Sequence, residues 1–157
     1  MVPKLFARKI LAVDDNPVIL KALSLVLEAR GYEVFTALDG PEAFSIARQE
    51  NLDLILLDII FPPDITQTGN TWDAFLIIDW IQRISVAESV PIIIISGAEP
   101  EKFRDRCLAM GAAAFLTKPL EVPKLMETIR EVFSRQEANA RPKPVTNFTL
   151  KLAAPTA

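Results

Sequence analysis

The chain of 157 residues contains no histidine, a single cysteine and only five glycines. Without histidine it lacks the side chain most often used for acid–base catalysis, and it cannot itself carry a phosphohistidine. Any histidine chemistry has to come from a partner. The lone cysteine, Cys107, excludes an internal disulfide and any zinc site built on cysteine and histidine clusters. It falls in a helix-like stretch between Pro100 and Met110, where a cysteine reads as a small buried hydrophobe rather than a reactive thiol. A reducing, cytoplasmic location fits that usage.

Long apolar runs are missing too. Half of the residues are hydrophobic, yet none of the runs approaches the roughly 18 consecutive residues of a membrane span, so a soluble chain with no membrane contact is expected. The first stretch, residues 1–13, leads into Asp14 and Asp15 rather than a small-residue cleavage site, so no signal peptide is expected. A net charge of −3 leaves no basic stripe to neutralise phosphates, and no nucleic-acid partner is expected.

What is present is a set of polar residues, each placed where a strand-like apolar run stops. Runs at 10–13, 54–57, 92–95 and 113–116 lead to Asp14 and Asp15, Asp58, Ser96, and Lys118 with Pro119. Amphipathic helical stretches separate them. This alternation predicts an α/β fold with a parallel sheet covered on both faces, whose ligands gather beyond the carboxyl ends of the strands. A run at 32–37 makes five strands, with strand three read as 52–57. Five helices are predicted: 17–30 with Asn16 as N-cap, a short one opened by Asp39, Gly40 and Pro41, then 72–84, 100–111, and 123 to about 135. One domain is expected at 1–135, followed by a flexible tail at 136–157 with a linker-like stretch around Pro142 and Pro144. In that tail Phe148, Leu150 and Leu152 alternate with Thr149 and Lys151, a weak strand pattern of the kind that adds to a sheet edge.

Carboxylates that converge in a crevice raise one another's pKa, and a bound divalent cation relieves this. Oxygen ligands without histidine or thiolate favour a hard ion such as magnesium, which keeps several waters. Its open positions accept phosphate oxygens, and one carboxylate can act as nucleophile on a phosphoryl group to form an acyl phosphate. Asp58, alone at the end of a central strand, is the best nucleophile, with Asp14 and Asp15 as the metal-holding pair. Lys118 would pair with one phosphoryl oxygen and Ser96 would hydrogen-bond another, since phosphoryl transfer needs alignment and neutralised charge more than covalent help.

In this set and order the residues resemble those of the response-regulator receiver domains of two-component signalling, over about residues 8–135. The resemblance implies a flavodoxin-like, doubly wound five-stranded parallel sheet of order 2-1-3-4-5 with five helices. It implies a stand-alone signalling protein rather than an enzyme: Asp58 takes a phosphoryl group from a histidine kinase or histidine phosphotransfer protein, and a downstream protein partner reads the result. It also implies that Mg2+ meets Asp15 and Asp58 directly, Asp14 through water and the backbone carbonyl of Ile60, and that the Lys118–Pro119 bond is cis. Phe115 matches the family's aromatic switch position. Its turning inward would reshape the face formed by the helix near Pro100, the last strand and the last helix, although plain core packing accounts for a phenylalanine there as well. Homodimerisation is left open.

Two features depart from the usual receiver. The loop at 59–71, beside the site, is long for a connection of strand to helix. Leu76 and Trp80 occupy positions that are usually polar in receivers, one turn apart on a face distinct from that of Ala74, Ile77, Ile78 and Ile81. Either a loop, tail or partner covers this pair as an interface, or the helix is rolled and both are core. Among rival functions, a receiver-shaped interaction module that is never phosphorylated needs none of the acid set. An aspartyl phosphatase of the haloacid dehalogenase type places its nucleophile in an Asp-x-Asp motif after strand one, whereas this chain reads Asp14, Asp15, Asn16. A flavin or nucleotide binder wants a glycine-rich or hydroxyl-rich phosphate loop there.

Ile60, apolar and two residues beyond the acceptor, is expected to hinder water attack and prolong an acyl phosphate on Asp58. Loss of label from phosphorylated protein should be faster in Ile60→Asn than in the native chain, and the reverse order would contradict this.

Overall fold

The structure, a computed structural model, describes residues 7–59, 90–97 and 100–140 together with Asp79 and Arg83. Its elements run β1 (Lys9–Val13), α1 (Pro17–Glu28), β2 (Glu33–Ala37), α2 (Gly40–Gln49), β3 (Leu54–Ile59), β4 (Ile92–Ser96), α3 (Pro100–Ala109), β5 (Ala114–Thr117) and α4 (Val122–Ala140). The five strands form one sheet in the order β2-β1-β3-β4-β5, and every pairing is parallel. The expected sheet is therefore observed, with four helices among the described residues. The region expected to hold another helix, 72–84, lies outside them except for Asp79 and Arg83, both helical and joined by an ion pair of 2.9 Å. Ile60, the loop beyond Ile59, Leu76, Trp80 and residues 141–157 also lie outside.

Alternation along each strand sends successive side chains to opposite faces. Leu11, Val13, Ile55, Leu57, Ile59, Ile92 and Ile94 enter one core with Ala43 and Cys107. Ile10, Ala12, Leu54, Leu56, Ile93 and Ile95 enter the other, where Leu20, Leu23 and Leu27 of α1 meet Leu125, Met126, Ile129, Val132 and Phe133 of α4. The central strands are buried on both sides, which is why 54–57 and 92–95 read as unbroken apolar runs. Cys107 is fully buried, in keeping with its reading as a core residue.

Helix starts follow their side chains. The Asn16 carboxamide accepts the Val18 N–H at 2.9 Å with Pro17 in the first turn, and Asp39 accepts the Glu42 N–H at 2.9 Å while Glu42 accepts the Leu38 N–H at 2.9 Å. After α1 and α3 the chain turns at Gly31 (φ +89°) and Gly111 (φ +101°), a left-handed conformation that residues with a Cβ disfavour.

Several boundaries differ from expectation by a few residues, and three of the differences bear on the site or the packing. Asp58 and Ser96 belong to the last residues of β3 and β4 rather than following them, because the ladder continues through the pairs Asp58↔Ile95 and Ile59↔Ser96. β5 is Ala114–Thr117, one residue later than the run at 113–116. The last helix does not stop near Arg135 but continues to Ala140, and a tertiary clamp accompanies the extra turn. Glu137 pairs with Arg8, whose guanidinium sits 4.1 Å from the centre of the Phe133 ring, and Tyr32 lies 6.0 Å from that ring.

Phe133 thus joins α4 to the starts of β1 and β2. Phe133→Ala should lower the unfolding free energy by about 3 kcal/mol in denaturant titration, and a loss well under 1 kcal/mol would show that Arg8 and Tyr32 hold the helix without it.

Candidate functional site

Strand register assembles the site. Val13 pairs with Leu57, so the next residues, Asp14 and Asp58, stand side by side at the carboxyl end of the sheet. Both continue the face of Ile10, Ala12, Leu54 and Leu56, and Lys118, two residues beyond Leu116 of β5, continues the same face from the other side. The Lys118 ammonium donates to Asp58 Oδ2 at 2.9 Å and to Asp14 Oδ2 at 3.3 Å. Its backbone N–H donates to the Ser96 carbonyl at 2.9 Å, which ties the end of β5 to that of β4. Ser96 is fully buried and pairs in register with Thr117. The Lys118–Pro119 bond is cis.

Asp14 is fixed by its own backbone N–H, which donates to the Ala37 carbonyl at 3.1 Å, and by the Asn16 N–H, which donates to Asp14 Oδ1 at 2.8 Å. This turn, with Asn16 both capping α1 and orienting Asp14, was missed in the sequence; an Asp two residues before a helix-starting Asn was the available signal. Asp15 is exposed, and carboxylate oxygens of Asp14, Asp15 and Asp58 lie within 4.8 Å of one another. Three carboxylates against one ammonium leave two negative charges, which suits a divalent cation, and an all-oxygen donor set suits a hard one. Asp14, Asp15, Asp58, Ser96 and Lys118 are therefore brought to one end of the sheet, while Ile60, Leu76 and Trp80 are outside the described residues. Phe115 is partly buried against the core that holds Ile94, its register partner, and lines a groove of about 490 Å³ with Arg104, Lys118 and Lys124.

Burial pushes the Asp58 carboxyl up to about 6; the hydrogen bond from Lys118 pulls the other way, and the charge of Asp14 adds to the rise. For Lys118, burial acts to lower the pKa, but the hydrogen bond to Asp58 and the charges of Asp58 and Asp14 outweigh it and hold the ammonium above its usual value. Lys118 stays protonated and Asp58 is the group that titrates near neutrality.

Solved structures share this arrangement of sheet and helices. The chain is similar to the chemotaxis response regulator CheY4 of Vibrio cholerae, at 32% identity over 80% of this chain and 98% of that one, with a TM-score of 0.67. It is also similar to a CheY-like response regulator receiver domain from Methanospirillum hungatei, at 26% identity over 85% and 98% of the two chains, with a TM-score of 0.68. A flavodoxin-like sheet with carboxylates and a lysine at its carboxyl end is thus the class of molecule seen here. The profile of the response regulator receiver domain matches residues 10–130, and the chain belongs to that family. Among curated proteins, the response regulator PleD of Caulobacter vibrioides is 32% identical over 124 residues; these cover 79% of this chain and only 26% of PleD. Protein PilH of Pseudomonas aeruginosa is 29% identical over 126 residues, covering 80% of this chain and 98% of PilH.

The direction of the Asp58 shift sets a pH dependence. With its folded pKa about 6 against the ordinary 3.8, the folded protein holds a proton that the unfolded chain has released between those values. Stability from this group is full below that window and is lost as pH rises through it. In metal-free buffer Asp58→Asn should therefore gain on the order of 1 kcal/mol at neutral pH, the Lys118 pair offsetting part of the cost of the buried charge. Its pH profile should also flatten across the window. A variant less stable than the native protein would show that the Lys118 pair outweighs the burial of the acid.

Proposed function

We propose that the protein is a phosphoacceptor of two-component signalling, with Asp58 as the acceptor. The observation that supports this most is the Lys118 ammonium 2.9 Å from Asp58 and 3.3 Å from Asp14, beside a third carboxylate, at the carboxyl ends of the central strands. The donor is the phosphohistidine of a histidine kinase or histidine phosphotransfer protein, since this chain has no histidine of its own. An Asp58 carboxylate oxygen attacks phosphorus. The P–N bond breaks, its electron pair stays on the imidazole nitrogen, and that nitrogen takes up a proton.

Each residue has a task in that step. Burial and the neighbouring Asp14 leave Asp58 titrating near neutrality, so at neutral pH most of it is the nucleophilic carboxylate. Lys118 positions the Asp58 carboxylate and then pairs with one oxygen of the transferred phosphoryl group as a counter-charge, and the Ser96 hydroxyl donates to another phosphoryl oxygen. Asp14, Asp15 and Asp58, whose carboxylate oxygens lie within 4.8 Å of one another, would hold Mg2+, with the Ile60 carbonyl expected to complete the set. The chemistry supplied by Mg2+ there is neutralisation of negative charge on the acids and the phosphoryl oxygens. Phe115, next to Ser96 on the same face of the sheet, is the residue proposed to pass the change to the face of α3, β5 and α4, where a downstream protein partner binds. On this reading the protein carries a signal rather than catalysing a metabolic reaction, and works in a cytoplasmic location. Among the described residues no helix is long and apolar enough to cross a membrane.

Incubation with magnesium and a small acyl-phosphate donor should add one phosphoryl group by intact mass to the native chain and none to Asp58→Asn. Lys118→Ala should form it roughly a hundredfold more slowly. No gain in the native chain, with magnesium binding also absent, would favour the unphosphorylated interaction module.

A further inference from the structure

β2 is the outer strand of the sheet, and its outward edge adjoins a groove. Glu33 donates its N–H to Arg8 and Ala37 accepts from Asp14, so the odd-numbered residues of β2 turn their backbone groups toward β1. Val34 and Thr36 therefore point theirs away from β1. Beside them lies a groove of about 420 Å³ lined by Leu25, Glu28, Val34, Thr36, Leu38 and Glu42 among others, with Leu25 58% and Leu38 47% exposed. An outer edge flanked by exposed leucines is a template for another strand.

The course of the chain indicates which strand. α4 packs on the same face as α1, in one core, and its last turn is anchored beside the start of β2. Glu137 pairs with Arg8, and the carbonyl of Arg8 accepts the N–H of Glu33, the first residue of β2, at 3.0 Å. The chain leaves α4 at Ala140, so a segment that then runs upward beside β2 would be parallel to it. The connection from β5 through α4 to that position moves in the same direction over the same face as β1 through α1 to β2. It therefore has the same hand, the right-handed one that parallel crossovers require. Four residues, 141–144, lie between Ala140 and the start of that segment at Val145, about 17 Å of extended chain for the turn.

We infer that residues 145–152 of this chain add to the edge of β2 as a sixth parallel strand, with Phe148, Leu150 and Leu152 covering Leu25 and Val34 in the groove against α1. Charge favours this occupant. Residues 141–157 carry Arg141, Lys143 and Lys151 and no acidic side chain, whereas the groove presents two acids, Glu28 and Glu42, against one base, Lys21. A second copy pairing through the same edge would instead set Glu28, Glu33 and Glu42 against their own counterparts.

Hydrogen exchange on the full chain tests the inference. The amides of Val34 and Thr36, and those of 149, 151 and 152 that are protected in the native chain, should exchange at least roughly tenfold faster in Leu150→Pro than in the native chain. Those of β3 and β4 should be unchanged. Leu25→Asp, a substitution at an exposed site, should release the same set. Equal exchange of Val34 and Thr36 in the native and Leu150→Pro chains overturns the proposal. Protection that grows with protein concentration and accompanies a dimer mass also overturns it, because the edge is then taken by a second copy.

Discussion

Asp14 and Asp58 are adjacent carboxylates whose side chains are each only 3% exposed, and the Lys118 ammonium that contacts both makes this placement tolerable. Burial and the neighbouring charge of Asp14 raise the cost of ionising Asp58, and a cation held against both carboxylates offsets part of that cost. The lysine cannot reach them by flexibility alone. Its backbone is bonded to the Ser96 carbonyl, so its starting point is set by the pairing of β4 with β5, as the positions of the acids are set by the pairing of β1 with β3. The charge arrangement is thus a consequence of two strand registers. A slip of one residue in either would turn a member of the set to the opposite face.

The same alternation that sorts the core also sorts the site. On β1 and β3, the positions that bury Ile10, Ala12, Leu54 and Leu56 end in Asp14 and Asp58. Apolar contact carries each strand up to the residue where chemistry begins. The acids themselves are a local loss in stability, as the raised pKa of Asp58 indicates. The nearly complete burial of β1, β3 and β4 outweighs it, so a strained cluster sits on a rigid sheet.

Much of this was legible because the strands are buried on both faces and so stand out as apolar runs with turn or cap residues between them. The polar residues that end these runs marked the site for the same reason. Asp58 and Ser96 were read one step outside their strands because a polar residue looks like a stop, while the backbone ladder has no need of an apolar side chain and continues to the last available partner. The extra turn of α4 has a different cause. Gln136, Glu137 and Ala138 are good helix formers, and Arg8 adds a distant partner for Glu137. Distant contacts of that kind, and the shift of Asp58, depend on what the folded chain brings near and have no local pattern to announce them.

The ion pairs also indicate how a charge change at Asp58 would be felt elsewhere. In the structure Lys118 divides its ammonium between Asp58 and Asp14. On the proposed function, a phosphoryl group on Asp58 would replace a single carboxylate charge by a dianion that projects further from the sheet, and the stronger, more distant charge would draw the ammonium outward from Asp14. Lys118 follows Thr117 and Leu116 on β5, and Phe115 precedes them on the same strand, packed beside the end of β4. Any displacement of the lysine therefore pulls on the end of the strand that carries the aromatic ring, and Ser96, bonded through its carbonyl to the Lys118 N–H, lies on the same path. The short route from Asp58 to Phe115 passes through the Lys118 side chain and the end of β5, so a coupling between them would need no large motion of the sheet.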